Sequence, residues 1–183
     1  MFRAFGLAFA LLLPGSAAAQ SANPSLMSSD AIGPIKRGWV QSDILVLGLP
    51  TAVRYEPTEG DPITIYTVAV SSDVAVGVWF GSDDKPYALE TNSTAFATAK
   101  GARVGDTMAR LKELYPQGRI SSGLIEGARL TFGLPADSAG AVAGMWFTFE
   151  TEGLSDDCLR EGLGCGDLSA MKSKSFSVVW RPE

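Results

Sequence analysis

Apolar residues in this chain keep helical spacing in two short stretches and alternate with polar ones along much of the rest. In one stretch Met108, Leu111, Leu114 and Tyr115 recur at helical spacing; Asp106 or Thr107 can cap the start, and Pro116 ends the run. The other, over 39–47, is less regular because Val40, Ile44 and Val46 interrupt it, and it stops at Gly48-Leu49-Pro50. Beyond each helix the period falls to two, which predicts strands. The first set covers 52–56, 62–71, 73–80 and 87–91, with a tight hairpin at Ser71-Ser72-Asp73 and a turn at 81–84. The second set covers 118–122, 128–133, 142–150 and 173–181, its last strand displaced by an insertion over 151–172.

The two halves also share residues at a constant offset. Gly77-Val78-Trp79-Phe80 recurs 67 positions later as Gly144-Met145-Trp146-Phe147. With no gap, the same offset pairs Gly38 with Gly105, Ile44 with Leu111, Leu47 with Leu114, Val53 with Ile120, and Ile63-Thr64-Ile65 with Leu130-Thr131-Phe132. Chance does not readily put five separated segments on one offset, so the pattern implies two copies of one supersecondary unit. The expected fold is α+β: two tandem repeats of a helix and a four-stranded meander, forming one antiparallel sheet with the helices on one face. Repeat one spans about 31–99 and repeat two about 100–183, within a single domain over 31–183.

The first residues change the picture from fold to compartment. Arg3 gives a small positive start, 4–13 is an apolar run, Pro14-Gly15-Ser16 breaks it, and Ala17-Ala18-Ala19 fits a cleavage site before Gln20. The run is too short to span a bilayer, which takes about 20 residues. The expectation is therefore a signal peptide over 1–19, cleaved after Ala19, and a periplasmic or secreted protein. Residues 20–30, rich in Ser, Ala, Asn and Pro, read as a flexible leader. No cysteine follows the apolar run to carry a lipid, so no stable membrane anchor is expected. Asn92-Ser93-Thr94 is formally a glycosylation sequon and reads as incidental.

Charge and cysteine content narrow the partners. A net charge of −5, one step more acidic once Arg3 is removed, argues against nucleic acid. The only cysteines, Cys158 and Cys165, are expected to form a local structural disulfide in an oxidising compartment.

The chemistry is mostly defined by what is missing. The chain has no histidine, which removes Ser-His-Asp and Cys-His catalysis and His-ligated zinc. No Gly-rich phosphate loop occurs, and no cofactor is expected. Ser169-Ala-Met-Lys172 matches a Ser-x-x-Lys pattern but lacks the Ser-Asp-Asn and Lys-Thr-Gly companions. Glu150, Glu152, Asp156, Asp157, Glu161 and Asp167 crowd the insertion without the spacing of a calcium loop, and read as a solvated acidic segment. The aromatics are the remaining lead. Trp79 and Phe80 must point to opposite faces of their strand, as must Trp146 and Phe147, while Phe176, Val178 and Trp180 share one face. Either the tryptophans lie on the open face as an interaction surface, or they lie under the helices and the phenylalanines face out.

The pattern of Ile35, Gly38, Ile44, Leu47, Gly48 and Pro50 resembles the short unit of β-lactamase-inhibitor-like and small outer-membrane lipoprotein repeats. Residues 100–116 and the ending Ser175-Phe-Ser-Val-Val-Trp-Arg181 are also similar to an uncharacterised family of envelope-stress-regulated lipoproteins. The first resemblance implies a helix with a four-stranded meander, in tandem, that binds proteins. Neither family supplies catalytic residues to carry over. Two departures are the missing lipidated cysteine and a bulky Trp39 where the repeats carry a smaller apolar residue.

The functional expectation is a non-enzymatic, protein-binding or inhibitor-like module, its partner another envelope protein and its anchors Trp79, Trp146 and Trp180. The alternatives are an envelope hydrolase using a carboxylate pair such as Glu152 and Asp157, and a small-molecule or lipid carrier with an apolar cavity between helices and sheet.

Overall fold

The long alternating segments pair with one another into a single wide sheet, and the short segments fold over one side of it. The structure, a computed structural model, describes residues 25–47, 51–56, 63–81, 84–123, 128–134, 143–161 and 165–180. In chain order the elements are β1 (Leu26–Met27), β2 (Ala31–Ile32), β3 (Ile35–Lys36), α1 (Gln41–Val46), β4 (Thr51–Glu56), β5 (Ile63–Ser71), β6 (Val74–Phe80), β7 (Pro86–Thr91), β8 (Ala97–Thr98), α2 (Met108–Leu114), β9 (Arg119–Gly123), β10 (Arg129–Leu134), β11 (Ala143–Phe149), α3 (Asp156–Glu161) and β12 (Ser173–Trp180). The fold is α+β, dominated by sheet, with few and short helices. The predicted signal over 1–19 and the start of the predicted leader lie outside the described residues.

The main sheet has eight strands in the order β4-β5-β6-β7-β12-β11-β10-β9. Every neighbouring pair is antiparallel, including the central β7–β12 pair, where Thr91 faces Phe176 and Leu89 faces Val178. Alternation sends Val76, Val78, Phe80, Leu89, Leu130, Phe132, Phe147, Phe149, Phe176 and Val178 to one face, where all are buried. Removing each phenylalanine from water contributes roughly 1.5–3 kcal/mol, so this face dominates the drive to fold. Phe147 and Phe176 meet edge to face across β11 and β12 with ring centres 5.0 Å apart.

The covering layer differs from the expectation. It contains α1 and α2, but also a second, four-stranded sheet of two-residue strands in the order β3-β2-β1-β8. Residues 26–30, expected to be loose, are built into it: Leu26 and Met27 pair in parallel with Ala97 and Thr98. Met27 is 1% exposed and belongs to the main core with Ile32, Ile35, Ile44, Phe96, Met108 and Leu111. An apolar pair after a polar run gave a signal too short to read as a strand; burial against the main sheet holds it. The first helix is also shorter than the expected 39–47, because only Ile44 has a buried seat while Leu45 and Val46 are 62% and 85% exposed.

The second helix forms where its caps predict. Thr107 accepts a hydrogen bond at its side chain from the Arg110 amide at 3.2 Å. Two further amides of its first turn, Met108 N and Ala109 N, donate to Met171 O and Ser169 O at 2.9 and 3.0 Å. The insertion before β12 thus returns to close the start of α2, and Gly105 N and Ser173 N exchange bonds with Ser173 O and Asp106 O. Cys158 and Cys165 form a disulfide within that insertion, with Cα atoms 4.7 Å apart. Among the described residues no helix is long and apolar enough to cross a membrane.

Candidate functional site on the open sheet face

The face of the main sheet turned away from the core carries the tryptophan pair. Trp79 stands on β6 opposite Ile65 and Ala88, and Trp146 on β11 opposite Gly133 and Ser177. Both are partly exposed, and neither packs against the core cluster. Of the two arrangements open to the sequence, the one with tryptophans out and Phe80 and Phe147 in is therefore the one adopted.

Each indole lies over a glycine two residues earlier on its own strand. A methyl group added at Gly77 would come within 2.8 Å of the Trp79 ring, and one at Gly144 would overlap the Trp146 ring. Trp146 also reaches over Gly133 on β10, where an added methyl would stand 3.4 Å from its Cδ1 and 3.5 Å from its Nε1. The absent side chains create seats for flat aromatic groups that pleated strands would otherwise crowd.

Trp180 does not join this pair. It is 4% exposed, lies on the core face with Phe176 and Val178, and donates from Nε1 to the Ser29 carbonyl at 2.7 Å. The expected three-tryptophan surface is corrected to two. An indole needs a partner for its N–H when buried, and the N-terminal segment supplies one.

In-register pairing sets the rest of the face. One row across the sheet runs Thr67, Gly77, Glu90, Ser177, Trp146, Gly133 and Arg119; the next runs Arg54, Ile65, Trp79, Ala88, Val179 and Gly144. Trp79 and Trp146 stand three strands and one row apart, about 16 Å at the usual strand spacing and rise. Small residues on β7 and β12 floor the space between them, and Glu90 is the carboxylate there. Beside Trp146, on its other flank, is a depression of about 700 Å³ lined by Gln117, Arg119, Ser121, Gly133, Leu134 and Trp146. Sequence reasoning missed Gln117, Arg119 and Gly133, because only the pairing of β9 with β10 places them beside Trp146.

The acidic insertion holds less. Glu150 pairs with Lys174 at 3.3 Å, and Glu152, Asp156, Asp157 and Asp167 are all exposed. Bonds from Ser169, its backbone N–H foremost, hold the Asp167 carboxyl below its usual range, with Lys112 adding to the effect against a small opposing desolvation. Among the described residues no three of these side chains come together as a metal-binding group. Ser169 and Lys172 are exposed in the segment that closes α2.

No family model matches the chain, and no curated protein matches it. Among solved structures it is similar to the uncharacterized protein yfeY from Escherichia coli, with a TM-score of 0.57 and 12% identity over 84% of this chain and 97% of that one. At that identity the likeness is one of fold.

Proposed function

We propose that this chain is an exported, non-catalytic binding module that recognises a component of the cell envelope through the open face of its main sheet. The observation that carries the reading is the seating of Trp79 and Trp146, two partly exposed indoles on the face opposite the core, each over a glycine of its own strand. Large aromatics held in fixed positions at a surface lose little entropy on binding, and they dominate recognition energetics.

Export rests on the signal-like segment over 1–19, and kinship with envelope lipoprotein families rests on the motifs that resemble them. Tandem duplication belongs to the same proposal. It is supported by α1 and α2 beginning 67 positions apart at Gln41 and Met108, and by Gly38 and Gly105, at the same offset, both having positive φ of 84° and 93°. The four strands after each of these helices lie side by side, and the two sets meet at β7 and β12. A duplicated unit arranged this way brings its two tryptophans onto one surface.

Co-sedimentation of the purified protein with isolated envelopes of the source cell tests the reading. The double substitution Trp79→Ala/Trp146→Ala should reduce the bound fraction at least tenfold while the circular dichroism spectrum stays unchanged. Equal sedimentation of the folded double variant would exclude the open face as the recognition surface.

A further inference from the structure

We propose that the depression beside Trp146 is a binding site for an anionic sugar unit, with Arg119 as its charge partner and the indole as its stacking platform. The inference rests on the open-face reading and names the ligand class for one end of that face.

Its geometry follows from register. Trp146, Gly133 and Arg119 stand in one row on three adjacent strands, so Arg119 is two strands from Trp146, about 10 Å between backbones. The residue between them is glycine, which has no side chain to occupy the gap, and the depression of about 700 Å³ lies there. That volume is within the range of sites that take small organic ligands.

The lining is rich in hydrogen-bond donors. Trp146 turns its Nε1 edge toward Gly133, and Arg119, Gln117 and Ser121 edge the other side. Neither the Trp146 indole nor the Arg119 guanidinium has a hydrogen-bond or ion-pair partner among the described residues. Among the described residues no carboxylate lines the depression, although the chain carries a net charge of −5. Glu90, the carboxylate in the same row, lies two strands away on the opposite flank of Trp146, where it would repel an anion and leave the Arg119 side favoured.

A ligand for such a site needs many acceptor oxygens, a negative charge and a flat apolar face. A pyranose bearing a carboxylate or phosphate has all three: its C–H face lies against an indole, its ring oxygens accept from N–H donors, and its anion pairs with guanidinium. An acidic peptide fits less well. Its extended chain carries the charge but has no flat C–H face to lie against the indole.

Titration of tryptophan fluorescence in the purified protein tests this, with trigalacturonate, glucose 6-phosphate, maltotriose and triglutamate as probes. Trigalacturonate should bind saturably, with at least tenfold weaker binding in Arg119→Gln and in Trp146→Ala and little change in Trp79→Ala. Maltotriose and triglutamate should not bind. Preference for trigalacturonate over glucose 6-phosphate assigns a polymeric glycan; the reverse preference assigns a free sugar phosphate. Equal binding of triglutamate reduces the site to a bare anion contact and overturns the proposal. Failure of both sugar acids also overturns it; if envelope binding still depends on the tryptophans, the open-face reading then stands without it. Loss of neither sugar nor envelope binding on tryptophan substitution would remove both.

Discussion

At the scale of single residues, glycines decide what the tryptophans do. Gly77 and Gly144 lack the one atom that would block an indole from lying along the strand. In Gly144→Ala the new methyl would fall within the Trp146 ring and drive it off its seat. We expect a red shift in tryptophan emission and a stability loss of about 1 kcal/mol, since a side chain can swing away more cheaply than backbone can. An unshifted spectrum would mean that the indole is not seated there. Trp180 is held by other means, through its bond to the Ser29 carbonyl. Trp180→Phe keeps most of the packing and removes that bond, at about 1 kcal/mol in urea denaturation. Full stability in that variant would show that the bond contributes nothing. The alternation of apolar positions made the opposite facing of Trp79 and Phe80 legible from sequence. It could not say which face was inside, because both residues are aromatic and the covering layer comes from distant segments.

At the scale of elements, short pieces persist because tertiary contacts satisfy them. Helices of six and seven residues are far below the length at which an isolated helix is stable. α1 is secured by buried Ile44 and by Tyr66, whose hydroxyl donates to Gln41 Oε1 at 3.0 Å. Burial, with smaller contributions from Tyr55 and Asp84, raises the Tyr66 pKa and so keeps that donor protonated. α2 is secured by Met108, Leu111 and the carbonyls of Ser169 and Met171. The disulfide stiffens the insertion that delivers those carbonyls. Replacing Cys158 and Cys165 by serine should cost about 2 kcal/mol, the value for closing so short a loop in the chain-entropy account. Hydrogen exchange should show the loss spread from α3 to the start of α2. Exchange confined to α3 would mean that the bridge does not support the helix. The helix caps and the cysteine pair were readable in advance; the partnership between them was not, since it joins residues about 60 apart in the chain.

At the scale of the whole molecule, one core ties both halves together. Met27 near the beginning of the described chain and Trp180 at its end belong to the same buried cluster. The N-terminal segment pairs with β8, and the last strand sits in the middle of the main sheet. The core draws on residues from both ends of the chain, so unfolding should be a single transition. Far-ultraviolet and near-ultraviolet circular dichroism should give coincident melting curves. Two separated midpoints would instead mean that the halves fold independently and that the β7–β12 seam is weak.

The order of the long strands, the main helices, the disulfide pair and the alternation of faces follow from local pattern: each depends on neighbours a few residues away, and the sequence alone determines it. Three things were settled only by tertiary structure. Residues 26–36 became part of a second sheet, Trp180 went inside while Trp79 and Trp146 stayed outside, and Arg119 came to stand across Gly133 from Trp146. Each of these depends on which distant strands pair and which face is covered, and no periodicity along one segment carries that information.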